Sequence, residues 1–123
     1  MKSAQHEFQP NATSVIYCRV SSKSQTKRGD GLGSQQQRCM EYARYKGLNV
    51  AETFEDDMTG SLATRPGMKA MLAYLRKHRK NGPIVVIIDD ISRLARGIDA
   101  HLKLRTAIGD AGGILKSPTI EFG

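Results

Sequence analysis

Ile84-Val85-Val86-Ile87-Ile88 is an unbroken β-branched, apolar run, preceded by Asn81-Gly82-Pro83 and followed by Asp89-Asp90. As a strand it has no side that tolerates water, so both faces must be covered, which is the condition of a parallel sheet layered with helices. Parallel neighbours need long crossovers, usually helical. The run therefore reads as a central parallel strand, and the rest of the chain should alternate strand with helix.

It does. Residues 14–20 (SVIYCRV) are a first strand, and residues 22–33 (SKSQTKRGDGLG) a polar, basic, glycine-rich loop expected to be mobile without its partner. Ser34 then reads as a helix cap with Gln37 three residues on, and Gly47 as the stop. Cys39, Met40, Ala43 and Tyr42 form the apolar side. Residues 48–54 are a second strand, followed by a polar loop over residues 55–64. Pro66 opens a helix where its missing N–H costs nothing, and Met68, Met71, Leu72 and Leu75 are its core stripe. Residues 98–111 make a further helix stopped by Gly112-Gly113, and residues 114–116 a short strand. There is no internal repeat. The expectation is an α/β fold, a mainly parallel central sheet of about four to five strands flanked by helices.

Polar residues gather at successive strand ends: Arg19 and Ser21 after the first, Asp56, Asp57 and Thr59 after the second, Asp89, Asp90, Ser92, Arg93 and Arg96 after the third. Right-handed crossovers bring such ends to one edge, where open α/β sheets carry their chemistry. Arg65 lies in another loop. Alone, Ser21 would be an ordinary turn residue. With three or four arginines beside it, it suits phosphoryl transfer, since planar guanidinium forks stabilise the charge that builds on phosphate oxygens. A serine hydroxyl attacking phosphorus forms a covalent phosphoserine and needs no metal.

A chain of 123 residues supports one domain. Its net charge of +7 favours a polyanion, although many basic proteins share that balance. Lys23, Lys27 and Arg28 either meet phosphates or are solvated. The longest apolar stretch, residues 83–88, is far short of the roughly 20 residues of a spanning helix, so no membrane partner is expected. Residues 1–13 form a loose polar tail without a secretory core. Cys18 and Cys39 lack metal-ligand spacing and suggest a reduced, cytoplasmic chain without a disulfide. His6, His78 and His101 are too scattered to hold a metal.

Tyr17-x-Arg19-Val20-Ser21, Gln35 four residues before Cys39, Asp56-x-x-Thr59-Gly60-Ser61 leading to Arg65-x-Gly67, and Arg93-Leu94-x-Arg96 together resemble the catalytic domain of serine recombinases. That family comprises resolvases, invertases, large serine integrases and transposases. The resemblance covers residues 15–123, and the glycine-rich residues 28–33 are similar to the large integrase and transposon branch. It implies a resolvase-like domain over residues 14–123 that cuts and rejoins double-stranded DNA with no metal or nucleotide cofactor. Ser21 would join the 5′ phosphate and free a 3′ hydroxyl. Arg19, Arg93 and Arg96 would hold the scissile phosphate and Arg65 would assist. Asp56 and Gln35 would orient these groups, with Tyr17, Thr59 and Ser92 in support. Homodimers pairing into homotetramers are implied for the full-length protein. Two departures stand out. Ser92 occupies a position where the family usually has an acid, which leaves the proton donor unassigned. The chain also halts at residues 117–123 without a terminating element, which implies a fragment lacking the dimerisation helix and DNA-binding domains, with weak sequence-specific binding of its own.

Other readings of the same residues stay open. The aspartate pairs serve equally as helix or turn caps, or as Mg²⁺ ligands of a metal-dependent nuclease or phosphotransferase. Gln35 reads also as a plain first-turn residue, and Ser22 competes with Ser21. A basic binding module without chemistry is the third possibility.

Overall fold

The structure, a computed structural model, describes residues 12–20, 32–57, 66–89 and 97–118. Among the described residues four strands and three α-helices alternate, with a 3-10 turn at Arg79–Asn81: β1 (Ala12–Val20), α1 (Leu32–Lys46), β2 (Leu48–Asp57), α2 (Pro66–His78), β3 (Ile84–Ile88), α3 (Gly97–Asp110) and β4 (Gly113–Lys116). The strands form one parallel sheet in the order β2-β1-β3-β4. The expected parallel α/β architecture is what the chain adopts.

Strand alternation sorts the core into two layers. Val15, Tyr17, Val86 and Ile88 point to the side of α2 and α3, where Met68, Met71, Leu75, Leu104 and Ile108 meet them. Ile16, Cys18, Val85 and Ile87 point to the side of α1, against Cys39, Tyr42 and Ala43. All five residues of β3 are buried, as a central parallel strand requires. One helix covers one face and two cover the other because β2 is laid to one side of β1, and β3 and β4 to the other. Right-handed crossovers in opposite directions use opposite faces. The order therefore reverses between β1 and β3, and the crevice beyond their carboxyl ends is where such sheets bind ligands.

Several boundaries differ from expectation. β1 starts at Ala12, two residues before the apolar run, because main-chain pairing to Leu48 and Asn49 extends it. α1 starts at Leu32, which puts Ser34 inside the helix instead of at its cap. Gln37 does not complete a capping box; its Nε2 donates to Glu41 Oε2 one turn on, at 3.1 Å. Met40 is exposed rather than on the apolar side, one step of the helix away from Cys39. The basic loop accordingly ends before residue 32; its residues 22–31 lie outside the described residues. β2 runs through Glu55, Asp56 and Asp57, which carry no apolar signal and are strand because β1 pairs with them. α3 is shifted by one residue, to Gly97–Asp110, and β4 begins at Gly113. The Met68, Met71 and Leu75 stripe is buried as expected.

One irregularity matters for the site. Ser14 pairs with Val50 and Val15 with Glu52, so Ala51 is an extra residue in β2. Without it Arg19 would lie opposite Glu55; with it, Arg19 lies opposite Asp56. A one-residue slip exchanges the faces of every later side chain. The bulge thus decides which carboxylate stands level with Arg19.

Candidate active site

Arg19 is the penultimate residue of β1, at the carboxyl edge beside the crevice, and it is 8% exposed. Its main chain is held by α1. Arg19 N–H donates to Gln35 Oε1 at 3.0 Å, and Gln35 Nε2 donates to Arg19 C=O at 2.7 Å. A carboxamide offers one donor and one acceptor side by side, so it completes the backbone hydrogen bonding of a strand end. Gln35 is buried to make these contacts; it is far more than a first-turn residue.

Asp56 stands opposite Arg19 and is surrounded by donors. Tyr17 Oη donates to Asp56 Oδ2 at 2.7 Å, Gly67 N–H to Oδ1 at 2.7 Å and Met68 N–H to Oδ2 at 2.8 Å. The amides belong to the first turn of α2, which has no acidic residue of its own. The carboxylate satisfies free helix donors and meets the positive end of the helix dipole. Capping and site-building are one arrangement here. It also explains Gly67: a Cβ there would run into the Glu55 carbonyl and the Asp56 carboxylate.

The third strand end is organised by a residue the sequence reading passed over. Arg38, one turn along α1 from Gln35, donates Nε to Asp89 Oδ1 at 2.8 Å and Nη2 to Asp89 Oδ2 at 2.7 Å. Asp89 directly follows β3 and is buried, and its carbonyl accepts a 2.8 Å hydrogen bond from Ser117 Oγ. The helical spacing of Gln35 and Arg38 places both on one face and was a usable signal. Ser117 had none.

Arg19, Gln35, Tyr17, Asp56 and Asp89 are thus gathered at the carboxyl edge. Ser21, Ser22, Lys23, Lys27, Arg28, Thr59, Arg65, Asp90, Ser92, Arg93 and Arg96 lie outside the described residues, as does His6. Asp57 ends β2. His78 stacks on Tyr74, with ring centroids 4.3 Å apart, at the far end of α2. Among the described residues no three His, Cys, Asp or Glu side chains are grouped to hold a metal ion. Cys18 and Cys39 are free and buried. The hydrogen bond with Cys18, and then burial, push the Cys39 thiol well above its ordinary range, so it packs as an apolar residue. Among the described residues no helix is long and apolar enough to cross a membrane.

Solved structures share this fold. The C-terminal catalytic domain of ISC1926 TnpA, an IS607-like serine recombinase, superposes with a TM-score of 0.69 at 26% identity, over 86% of this chain and 70% of that one. The N-terminal catalytic domain of TP901-1 integrase gives 0.66 at 24% identity, over 87% of this chain and 77% of that one. A resolvase family site-specific recombinase from Streptococcus pneumoniae gives 0.67 at 20%, over 88% and 72%. The last two likenesses speak for the fold alone. No curated protein sequence matches the chain. The family described as Resolvase, N terminal domain, matches residues 14–121, and the chain, with its carboxyl-edge site at the β1–β3 crevice, belongs to that family.

Proposed function

We propose that this domain cuts and rejoins DNA through a covalent 5′-phosphoserine on Ser21. The carrying observation is the strand end of β1: Gln35 fixes the main chain of Arg19 from both sides, two residues before Ser21, at the switch point of the sheet. Fixing the main chain roots the Arg19 side chain at this edge, where its guanidinium would meet a phosphate, and charge fixed in place beforehand usually does more than any other single effect to stabilise a transition state. Ser21 Oγ gives up its hydroxyl proton as it attacks phosphorus, the P–O3′ bond breaks, and a proton passes to the leaving 3′ oxygen, so that none is consumed overall; religation reverses each step. Arg19, Arg93 and Arg96 hold the phosphate oxygens, with Arg65 assisting. Gln35, Asp56 and Tyr17 are positioning residues, with Thr59 and Ser92 in support. The net charge of +7 suits duplex DNA as substrate. Residues 14–123 act as the catalytic unit, in homodimers that pair into homotetramers in a cytoplasmic setting.

The rival reading, aspartates holding Mg²⁺, is disfavoured by how they are used. Both Asp56 oxygens accept protein donors, and both Asp89 oxygens face Arg38. The test is incubation with a supercoiled plasmid carrying the DNA that borders the protein's reading frame, in EDTA, with a denaturing quench. Protein attached to 5′ ends and lost in Ser21→Ala is the expected result. Cleavage that needs Mg²⁺ and leaves no attached protein would transfer the chemistry to the aspartates.

A further inference from the structure

We propose that Arg38 is a positioning residue for the strand-cutting step, and that α1 acts as a brace setting the spacing of the two arginine-bearing strand ends. The proposal rests on the recombinase reading above. Gln35 and Arg38, three residues apart on one helix face, hold the end of β1 and the end of β3 respectively. These strands are neighbours on either side of the switch point. Arg19 leads to Ser21, and Asp89 leads, within seven residues, to Arg93 and Arg96. A rigid helix that holds both roots sets the distance between Arg19 and Asp89, from which the two segments leave.

Stability alone does not account for the ion pair. The Asp89 side chain is 4% exposed and that of Arg38 41%, and a pair with one buried partner loses much of its attraction to desolvation. What the two-pronged contact supplies is direction. Nε and Nη2 each meet one carboxylate oxygen, which fixes the rotation of Asp89 as well as its distance. Ser117 holds the carbonyl of the same residue. Asp89 is therefore anchored through side chain and main chain just before the arginine segment begins.

The test uses the plasmid attachment assay at saturating protein. Arg38→Met is expected to slow covalent attachment about 100-fold, the cost of a misplacement of roughly 1 Å. The protein concentration for half-maximal attachment should move less than about 3-fold, because Arg38 acts on the chemical step and not on binding. Arg38→Lys, which keeps the charge and one contact, should recover part of the rate. Arg38→Met combined with Asp89→Leu removes both members of this ion pair together and should fold, yet still attach slowly. Wild-type attachment in either methionine variant, a loss confined to the half-maximal concentration, or a lysine variant no better than methionine overturns the brace. If the unaltered protein never attaches in EDTA, the recombinase reading fails separately. Hydrogen exchange over residues 84–89 then decides: faster exchange in Arg38→Met than in the unaltered protein upholds the brace, and unchanged exchange overturns it.

Discussion

α1 and α2 both reach the carboxyl edge of the sheet, from opposite faces, and they grip it by different means. α1 uses side chains: the Gln35 carboxamide on the Arg19 main chain and the Arg38 guanidinium on Asp89. α2 uses its own backbone, the first-turn amides of Gly67 and Met68 on Asp56. A grip made by side chains is lost when those side chains change. A grip made by amides survives most substitutions on the helix and is lost from the strand side, or wherever the close approach of the backbone is blocked.

The largest effect should come from the strand side of α2. Asp56→Ala removes an acceptor shared by Tyr17 Oη and two amides, and urea unfolding is expected to show about 3 kcal/mol lost, since bonds to a charged acceptor are the stronger kind. Next is Gln35→Leu, which takes the carboxamide away from the buried N–H and C=O of Arg19; about 2 kcal/mol should go. Gly67→Ala should cost about 1.5 kcal/mol by overpacking against β2. The exposed Lys69→Ala on the same helix should change stability by less than about 0.5 kcal/mol. If Lys69→Ala matched Gly67→Ala, the backbone grip of α2 would be the wrong description. Tyr17→Phe removes one of three donors while its ring stays in the core, so about 1 kcal/mol is expected. A Gln35→Leu loss above that of Asp56→Ala would break the ranking of the two grips.

The smallest effect concerns Cys39, on the face of α1 that packs against the sheet. Its thiol is raised in the folded chain, so on raising the pH the unfolded chain gives up this proton first. Its contribution is complete below the ordinary thiol value of 9.0 and declines as pH rises above it. Iodoacetamide should label Cys39 only after denaturation; rapid labelling of the native protein would show that the α1 face opens.

The parallel sheet was legible in the sequence because the evidence for it is local. A five-residue β-branched run, a Met and Leu stripe at helical spacing, Pro66 at a helix start and Gly47 at a helix end each act within a turn or a strand. The strand-end clustering of Arg19, Asp56 and Asp89 followed from that alternation. Errors fell where local cues compete with pairing: Ser34 and Gln37 looked like a capping box, and Glu55 to Asp57 looked like loop, until β1 drew them into the sheet.

What the sequence determined by itself is therefore the order of elements, their apolar faces and the motifs that mark the family. The tertiary structure decided the partners. Tyr17 meets Asp56 across 39 residues, Arg38 meets Asp89 across 51, and Ser117 meets Asp89 across 28. Those meetings depend on the strand order β2-β1-β3-β4 and on one extra residue at Ala51, which together set who stands level with whom. Periodicity reports which face a residue takes. Only the assembled sheet, through its register and crossovers, determines what that residue touches.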